Sequence, residues 1–189
     1  MSALADDLLE ALVRRRATGA VVDAGGVARA AVAAADEWGV ERALIADDPV
    51  LDDLGVGAAL GADGRSVLRW PEGRDGGWRE PLGLEGPELT LGVTVPALAV
   101  AERGTLVLEA GPGHGRSIDV VSMFHLAVLP ASRLRRTLAE ALGEAYAGGR
   151  APSAVSLVSA PSRTSDIEKI STLGAHGAKA LHVIVVEDR

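Results

Sequence analysis

The fold class is decided by the stretch from residue 125 to residue 149, which reads HLAVLPASRLRRTLAEALGEAYAGG. Its first five residues form a short apolar run that ends at Pro130, as expected of a buried strand. Ser132 can then cap a helix with apolar residues at helical spacing, which Gly148 and Gly149 stop. A buried strand that leads into an amphipathic helix is typical of α/β proteins.

The same alternation extends to both sides of this stretch. The sequence predicts further strands at Ala43–Ala46, Ser66–Trp70, Leu89–Val95, Thr105–Ala110, Ala154–Val158 and Leu181–Val186. It predicts helices from Ser2 to near Gly19, after Gly25-Gly26, in a short turn over Pro96–Val100 and over Asp166–Leu173, with a surface excursion between residues 55 and 86. Continuous aliphatic strands between helices predict a three-layer α/β/α, Rossmann-like fold with a mostly parallel sheet.

Composition excludes several classes of protein. The 189 residues fit one α/β domain, and the net charge of −7 without a basic stripe argues against nucleic acid as a partner. The chain has no cysteine, so it can form no disulfide and supplies no cysteine ligand for zinc or an iron–sulfur cluster. No apolar stretch approaches the ~20 residues of a membrane span, and the acidic N-terminus is unlike a signal peptide. A cytoplasmic location is therefore expected.

An anion site is predicted in the segment from Ala160 to Glu168, which follows a strand and opens a predicted helix. Backbone amides at a helix N-terminus attract anions, and Arg163 could add a planar fork for a carboxylate or a phosphate. The structural alternative is a capping box, in which Glu168 reaches back to the amide of Ser165. The carboxyl ends of parallel strands, where such segments lie, are the usual place for a ligand.

Other candidate groups carry weaker signals. Glu102, just before the strand that starts at Thr105, could act as a base or a nucleophile, although a solvated surface carboxylate explains it as well. The glycine-rich segment at residues 110–117 nearly matches a phosphate-binding loop, but Arg116 replaces the lysine and residues 118–121 are a poor opening for a helix. The four histidines show no paired spacing, so no metal site is predicted.

Five strings in the second half of the chain occur in the order and spacing of one protein family. They are Ala101–Leu108, Arg116–Val128, Pro130–Arg133, Pro161–Glu168 and Gly174–Ile184. On these strings, which lie within about residues 89–187, the chain resembles the LUD-domain family, in particular its lactate-utilisation protein C (LutC/YkgG-like) branch. Arg103 stands where that family usually has Thr. The resemblance implies that residues 1–189 form a single LUD-type domain.

The resemblance also implies a fold and a role. The fold would be similar to that of sugar-phosphate isomerases and CoA transferases. The role would be that of a partner subunit in a system that oxidises L-lactate to pyruvate with two iron–sulfur proteins. No cofactor is expected in this chain, and the clusters would lie in the partners.

A small anionic metabolite is the expected ligand. Its predicted contacts are Ser162, Arg163, Thr164, Gly104, Thr105 and His125, with Glu102 as the candidate catalytic group.

Two other functions remain open from the sequence, which leaves undecided whether the chain is itself an enzyme. One is a stand-alone isomerase or acyl transferase acting on a sugar phosphate or an acyl-CoA, with Glu102 as base or nucleophile. The other is a non-catalytic structural or regulatory domain.

Overall fold

The fold was analysed in a computed structural model that describes residues 3–70, 90–115, 118–149, 152–165, 171–173 and 177–189. The helices within these residues are α1 (Ala3–Arg14), α2 (Ala24–Glu37), α3 (Pro49–Asp53), α4 (Val56–Ala62), α5 (Ile118–Val121) and α6 (Leu138–Ala145). The strands are β1 (Thr18–Val22), β2 (Arg42–Ile45), β3 (Ser66–Arg69), β4 (Thr90–Thr94), β5 (Leu98–Val100), β6 (Thr105–Glu109), β7 (Phe124–Pro130), β8 (Leu134–Arg135), β9 (Val155–Val158), β10 (Arg163–Ser165), β11 (Ser171–Leu173) and β12 (Ala180–Val186).

A six-stranded sheet forms the centre of the fold, with the strand order β1-β12-β7-β4-β2-β3. Every neighbouring pair in this sheet is parallel. The prediction of a mostly parallel α/β sheet is therefore confirmed. The aliphatic runs predicted as strands supply β2, β3, β4, β7 and β12. In the described part of the chain, every helix is too short or too polar to cross a membrane.

Both faces of this sheet are covered, as the side chains of β7 show. Leu126 and Val128 lie in a core shared with α2 and α4, whereas Ala127 and Leu129 lie in a second core shared with α1 and β6. Successive side chains of a strand point to opposite faces, so a continuous aliphatic strand serves two cores at once. Full burial of a Leu or Val side chain contributes about 1.5–3 kcal/mol, and these four residues are all fully buried.

The second face carries a smaller sheet that the sequence does not predict. Its order is β8-β5-β6-β9, with β5 and β9 antiparallel to β6. The predicted helical turn over Pro96–Val100 is wrong, because residues 98–100 form the buried strand β5. Although proline favours the first turn of a helix, pairing with β6 and burial of all three side chains decide the local structure here.

Several predicted helix boundaries are also wrong. The first helix ends at Arg14, not near Gly19, because the edge strand β1 begins at Thr18. The helix predicted from Ser132 begins at Leu138, and Thr137 rather than Ser132 caps it in a capping box with Glu140. The surface excursion from residue 55 contains α4, whose Val56 and Leu60 are fully buried.

Candidate functional site

A cavity of about 190 Å³ lies between the two sheets. Its lining residues come from α5, β7, β9, β12 and the segments that flank β9 and β12. They are Asp119, Val120, His125, Leu157, Val158, Ser159, Ala160, Ser162, Gly177, Ala178 and Leu181. His125 and Leu181 are the second residues of β7 and β12, so the cavity opens at the amino ends of these parallel strands. The predicted location was the carboxyl edge. At the amino end, β9 of the small sheet, which the sequence did not reveal, forms one wall of the cavity and α5 forms another.

His125 is the most deeply buried polar side chain of this cavity, with 1% of its surface exposed. Its Nε2 lies 2.8 Å from Oγ1 of Thr94, the last residue of the neighbouring strand β4. Burial, with a smaller contribution in the same direction from the charge of His114, lowers the pKa of His125 to about 3. The imidazole is therefore neutral near pH 7, where it offers hydrogen bonds without carrying a charge.

Thr105 and Ser159 form a hydroxyl pair beside the cavity. Thr105 begins β6, Ser159 directly follows β9, and their Oγ atoms lie 2.7 Å apart across the antiparallel pair. Ser159 lines the cavity and holds Thr105 next to it, so the structure connects two groups that lie more than fifty positions apart in the chain. Thr105 was a predicted ligand contact, whereas Ser159 was not.

Ser162 reaches the same cavity from the segment after β9. Its amide donates a 2.8 Å hydrogen bond to the carbonyl of Ala178, just before β12. Gly177 has a φ of +149°, and a Cβ placed there would lie 3.3 Å from Cβ of Ser162. A glycine at position 177 therefore permits both the backbone turn and the close approach of Ser162.

Asp119 is the acidic residue of the cavity, and it was missed by sequence reasoning. It lies on the one-turn helix α5, a segment that the sequence argument judged a poor helix opening. Burial raises the pKa of Asp119, and hydrogen bonds from its own amide and from Ser156, with the charge of His114, partly oppose that rise. Its Oδ1 and the Nε2 of His114 are buried without a hydrogen-bond partner.

The residues predicted around Glu102 lie outside the cavity lining. Glu102 is in a 3-10 turn over Ala101–Arg103, with 45% of its side chain exposed, and its carboxylate lies 3.8 Å from Nε of Arg103. Gly104 has a φ of +60°, and a Cβ there would lie 3.1 Å from backbone atoms of α1. The glycine is thus explained by packing against α1, and the catalytic role of Glu102 stays a prediction.

The predicted helix over Asp166–Leu173 is wrong at residues 171–173, which form a strand, while residues 166–170 lie outside the described residues. Arg163–Ser165 form β10, which pairs antiparallel with β11 at residues 171–173. Ser165 therefore lies in a strand, while Asp166 and Glu168, which the predicted capping box requires, lie outside the described residues. The backbone of Thr164 pairs with Thr172. Local capping signals matched a helix start here, but strand pairing between the two segments prevails.

Arg163 is exposed and does not line the cavity, although its neighbour Ser162 does. Its Nη2 donates a 3.3 Å hydrogen bond to the carbonyl of Arg15, just after α1. Its role as an anion ligand stays a prediction. The structure thus brings His125, Ser162 and, through Ser159, Thr105 together, and it leaves Glu102, Gly104 and Arg163 elsewhere.

The chemistry of the cavity suits a small polar molecule. Two serine hydroxyls and a neutral histidine provide hydrogen bonds, and apolar groups such as Leu181 and Ala178 exclude water. Drug-sized ligands occupy pockets of about 300–1,000 Å³, so a volume of about 190 Å³ fits a metabolite of only a few heavy atoms. Within the described residues, no group of three or more His, Cys, Asp or Glu side chains could hold a metal ion.

Comparison with known proteins finds a family model and several relatives that match the chain. The family model of the LUD domain matches residues 5–186. The chain is 31% identical over 158 residues to "Lactate utilization protein C" of Halalkalibacterium halodurans, covering 82% of this chain and 66% of that protein. It is 29% identical to the protein of the same name from Shouchella clausii, with 89% and 72% coverage, and 30% identical to "Uncharacterized protein YkgG" of Escherichia coli, with 85% and 69% coverage.

A solved structure supports the fold. The crystal structure of a DUF162 family protein from Deinococcus radiodurans superposes with a TM-score of 0.63 at 23% identity, covering 97% of this chain and 96% of that one. At this identity the likeness concerns the fold alone. The chain spans 66% of the length of the Halalkalibacterium protein, so about a third of that relative has no counterpart in the match.

Proposed function

The chain belongs to the LUD domain family, and on that premise we propose that it takes part in lactate utilisation by binding L-lactate or pyruvate in the cavity around His125. The observation that carries the proposal is the meeting of His125, Ser159 and Ser162 at one small cavity. His125 and Ser162 lie in sequence strings on which the family resemblance depends. The names of the relatives support the metabolic role.

The groups of the cavity match the chemistry of a 2-hydroxy or 2-oxo monocarboxylate. The hydroxyls of Ser159 and Ser162 can donate hydrogen bonds to a carboxylate, and bonds to a charged group contribute about 1.5–3 kcal/mol each. The other ring nitrogen of His125, Nδ1, can form a hydrogen bond with the oxygen on the second carbon of the ligand, because Thr94 contacts only Nε2. The methyl group of lactate or pyruvate fits beside Leu181 and Ala178.

We further propose that the redox centres lie in partner proteins. Oxidation of lactate releases two electrons, and a chain without cysteine supplies no thiolate for an iron–sulfur cluster. The partners would be iron–sulfur proteins of the same system, with this chain as the subunit that holds the small anion. Purification of the tagged chain from its native cell, followed by iron analysis of what accompanies it, tests this partnership. Repeated recovery of the chain alone would oppose it.

Growth on L-lactate tests the proposed role in the cell. A strain that lacks its own copy of the gene should grow on L-lactate when it carries the wild-type gene. The same strain should not grow on L-lactate when it carries the Ala160→Phe gene, because the new ring would fill the cavity. Ala147→Phe is the matched control, since Ala147 is exposed and lines no part of this cavity. Equal growth on L-lactate of these three strains and of an empty-vector strain would refute the role.

A further inference from the structure

One feature of the cavity opposes the proposed ligand: Asp119 lines the same cavity that would hold a carboxylate. Among the described residues that line it, none is Lys or Arg. The Asp119 carboxyl is half-buried, and its Oδ1 is enclosed without a hydrogen-bond partner. A second carboxylate that entered this space would lie close to the first one and would be shielded from water.

Two carboxylates in one desolvated site do not both stay ionised, because repulsion favours the binding of a proton by one of them. Burial alone raises the pKa of Asp119, and the charge of an entering anion would raise it further. Among the described residues, His114 from the preceding loop and Ser156 from β9 interact with Asp119, and His125 from β7 lines the same cavity. The pKa of His125 is lowered to about 3, so its imidazole does not take up a proton near neutral pH.

We infer that each monocarboxylate enters the cavity together with one proton, which Asp119 binds, so that Asp119 determines which ligand charge the cavity accepts. This inference rests on the proposed function and names the regulation and charge specificity of the same site. A monoanion plus one proton leaves the charge of the occupied cavity equal to that of the empty one. A dianion of the same size would leave an uncompensated charge and should be rejected.

Calorimetric titration with pyruvate tests this directly. Above pH ~5 pyruvate is fully ionised, since its 2-oxo group makes it a stronger acid than a side-chain carboxyl, whose pKa is about 4. Titrations in two buffers of different ionisation enthalpy, repeated between about pH 5 and pH 7.5, measure the protons taken up per ligand bound. We expect uptake that approaches one proton, with affinity that rises up to tenfold for each unit of falling pH. This measurement uses the wild-type chain alone and depends on no variant.

Asp119→Asn locates the proton. The amide keeps the shape of the side chain but has no titrating group, so proton uptake should vanish and affinity should become independent of pH. Asp53→Asn is the matched control, because Asp53 pairs with Arg189 and does not line the cavity. Oxalate, a dianion with as many non-hydrogen atoms as pyruvate, is the charge probe. Wild type should bind it at least tenfold more weakly than pyruvate, and Asp119→Asn should narrow that gap.

The outcomes separate the inference from the proposed function. Pyruvate binding without proton uptake, or uptake that persists in Asp119→Asn, overturns the inference and leaves the lactate or pyruvate site in place; persistent uptake would assign the proton to another group such as His114. If acetate binds with Asp119-dependent uptake while pyruvate and L-lactate do not bind, the inference stands and the proposed ligand is wrong. Absence of binding by all three monocarboxylates across the pH series overturns both.

Discussion

The hydroxyl of Thr94 and the Nε2 of His125 lie 2.8 Å apart on neighbouring strands of the central sheet, and both residues are buried. In the register of β4 and β7, Thr94 pairs with Ala127, and Gly92 pairs with His125. The bond between Thr94 and His125 therefore runs diagonally from one strand to the other. This contact orients the imidazole that lines the cavity. It also removes one ring nitrogen from competition for a ligand.

The loss of this bond should destabilise the fold. Thr94→Val leaves the Nε2 of His125 buried without a partner, which should lower the free energy of unfolding by about 1–3 kcal/mol. Thr18→Val is the matched control, because Thr18 makes a 2.7 Å bond to Nδ1 of His182 but is exposed. Its effect should stay within about 0.5 kcal/mol. Urea unfolding measures both values, and equal losses would contradict the role of burial.

The buried His125 should make the fold sensitive to acid. Its pKa is about 3 in the folded chain and 6.5 when unperturbed, so only the unfolded chain binds this proton between those values. Stability is therefore fully present above about pH 6.5 and falls as pH drops toward 3, by up to roughly 1.4 kcal/mol per pH unit from this group. Urea unfolding of wild type and His125→Gln over this range should show a shallower pH dependence in the variant. Parallel curves would contradict the assignment.

Gly104 should be required for packing against α1. Gly104→Ala places a Cβ in a left-handed conformation and 3.1 Å from backbone atoms of Ala11 and Leu12. Gly55→Ala is the matched control, since Gly55 has a φ of +65° with open space around it. The control should lose about 1–2 kcal/mol from the backbone conformation alone, and Gly104→Ala should lose at least about 1 kcal/mol more. Thermal or urea unfolding compares them, and equal losses would show that contact with α1 is unimportant.

Substitutions at the neighbouring residues 162 and 163 distinguish between two locations for the anion site. One is the cavity, and the other is the segment around Arg163 that the sequence predicts. The cavity geometry predicts that Ser162→Ala weakens pyruvate binding about tenfold or more, because one hydrogen bond to a charged ligand is lost. Arg163→Ala should change the affinity less than twofold, since its guanidinium contacts the carbonyl of Arg15 outside the cavity. Calorimetric titration of both variants decides between the two locations. A larger loss in Arg163→Ala than in Ser162→Ala would support the anion site predicted from the sequence.

The sequence predicts five of the six strands of the central sheet, all except β1, because most of them are short aliphatic runs. Residues 126–129 of β7 and 183–186 of β12 are all aliphatic, and a strand buried on both faces requires such a run. The small sheet is different, because β5 has three residues and follows Pro96, which locally favours a helical turn. Its existence depends on pairing with β6 and on burial against α1, which are tertiary effects that no local pattern reports.

The candidate site was predicted in part for the same reason. His125 was identified through the resemblance, and Ser162 lies in a string with a clear local signal. Asp119 was missed, and Ser159 was not singled out as a ligand contact, since each becomes a cavity residue only when β9 packs opposite the amino ends of β7 and β12. The helix predicted over Asp166–Leu173 is contradicted at residues 171–173, because these form β11 and pair with β10. Capping signals describe what a segment can do alone, and pairing overrides them.

Binding to the cavity itself is the most direct test of the central claim. Wild type, Ala160→Phe and Ala147→Phe should be titrated with L-lactate and with pyruvate in a calorimeter, after their folds are compared by circular dichroism. Wild type and Ala147→Phe should bind at least one of the two acids with equal affinity, and Ala160→Phe should lose at least tenfold, because its ring occupies the space beside Ser159. Unchanged binding by a folded Ala160→Phe, or no binding by wild type, would contradict the assignment of this cavity as the site.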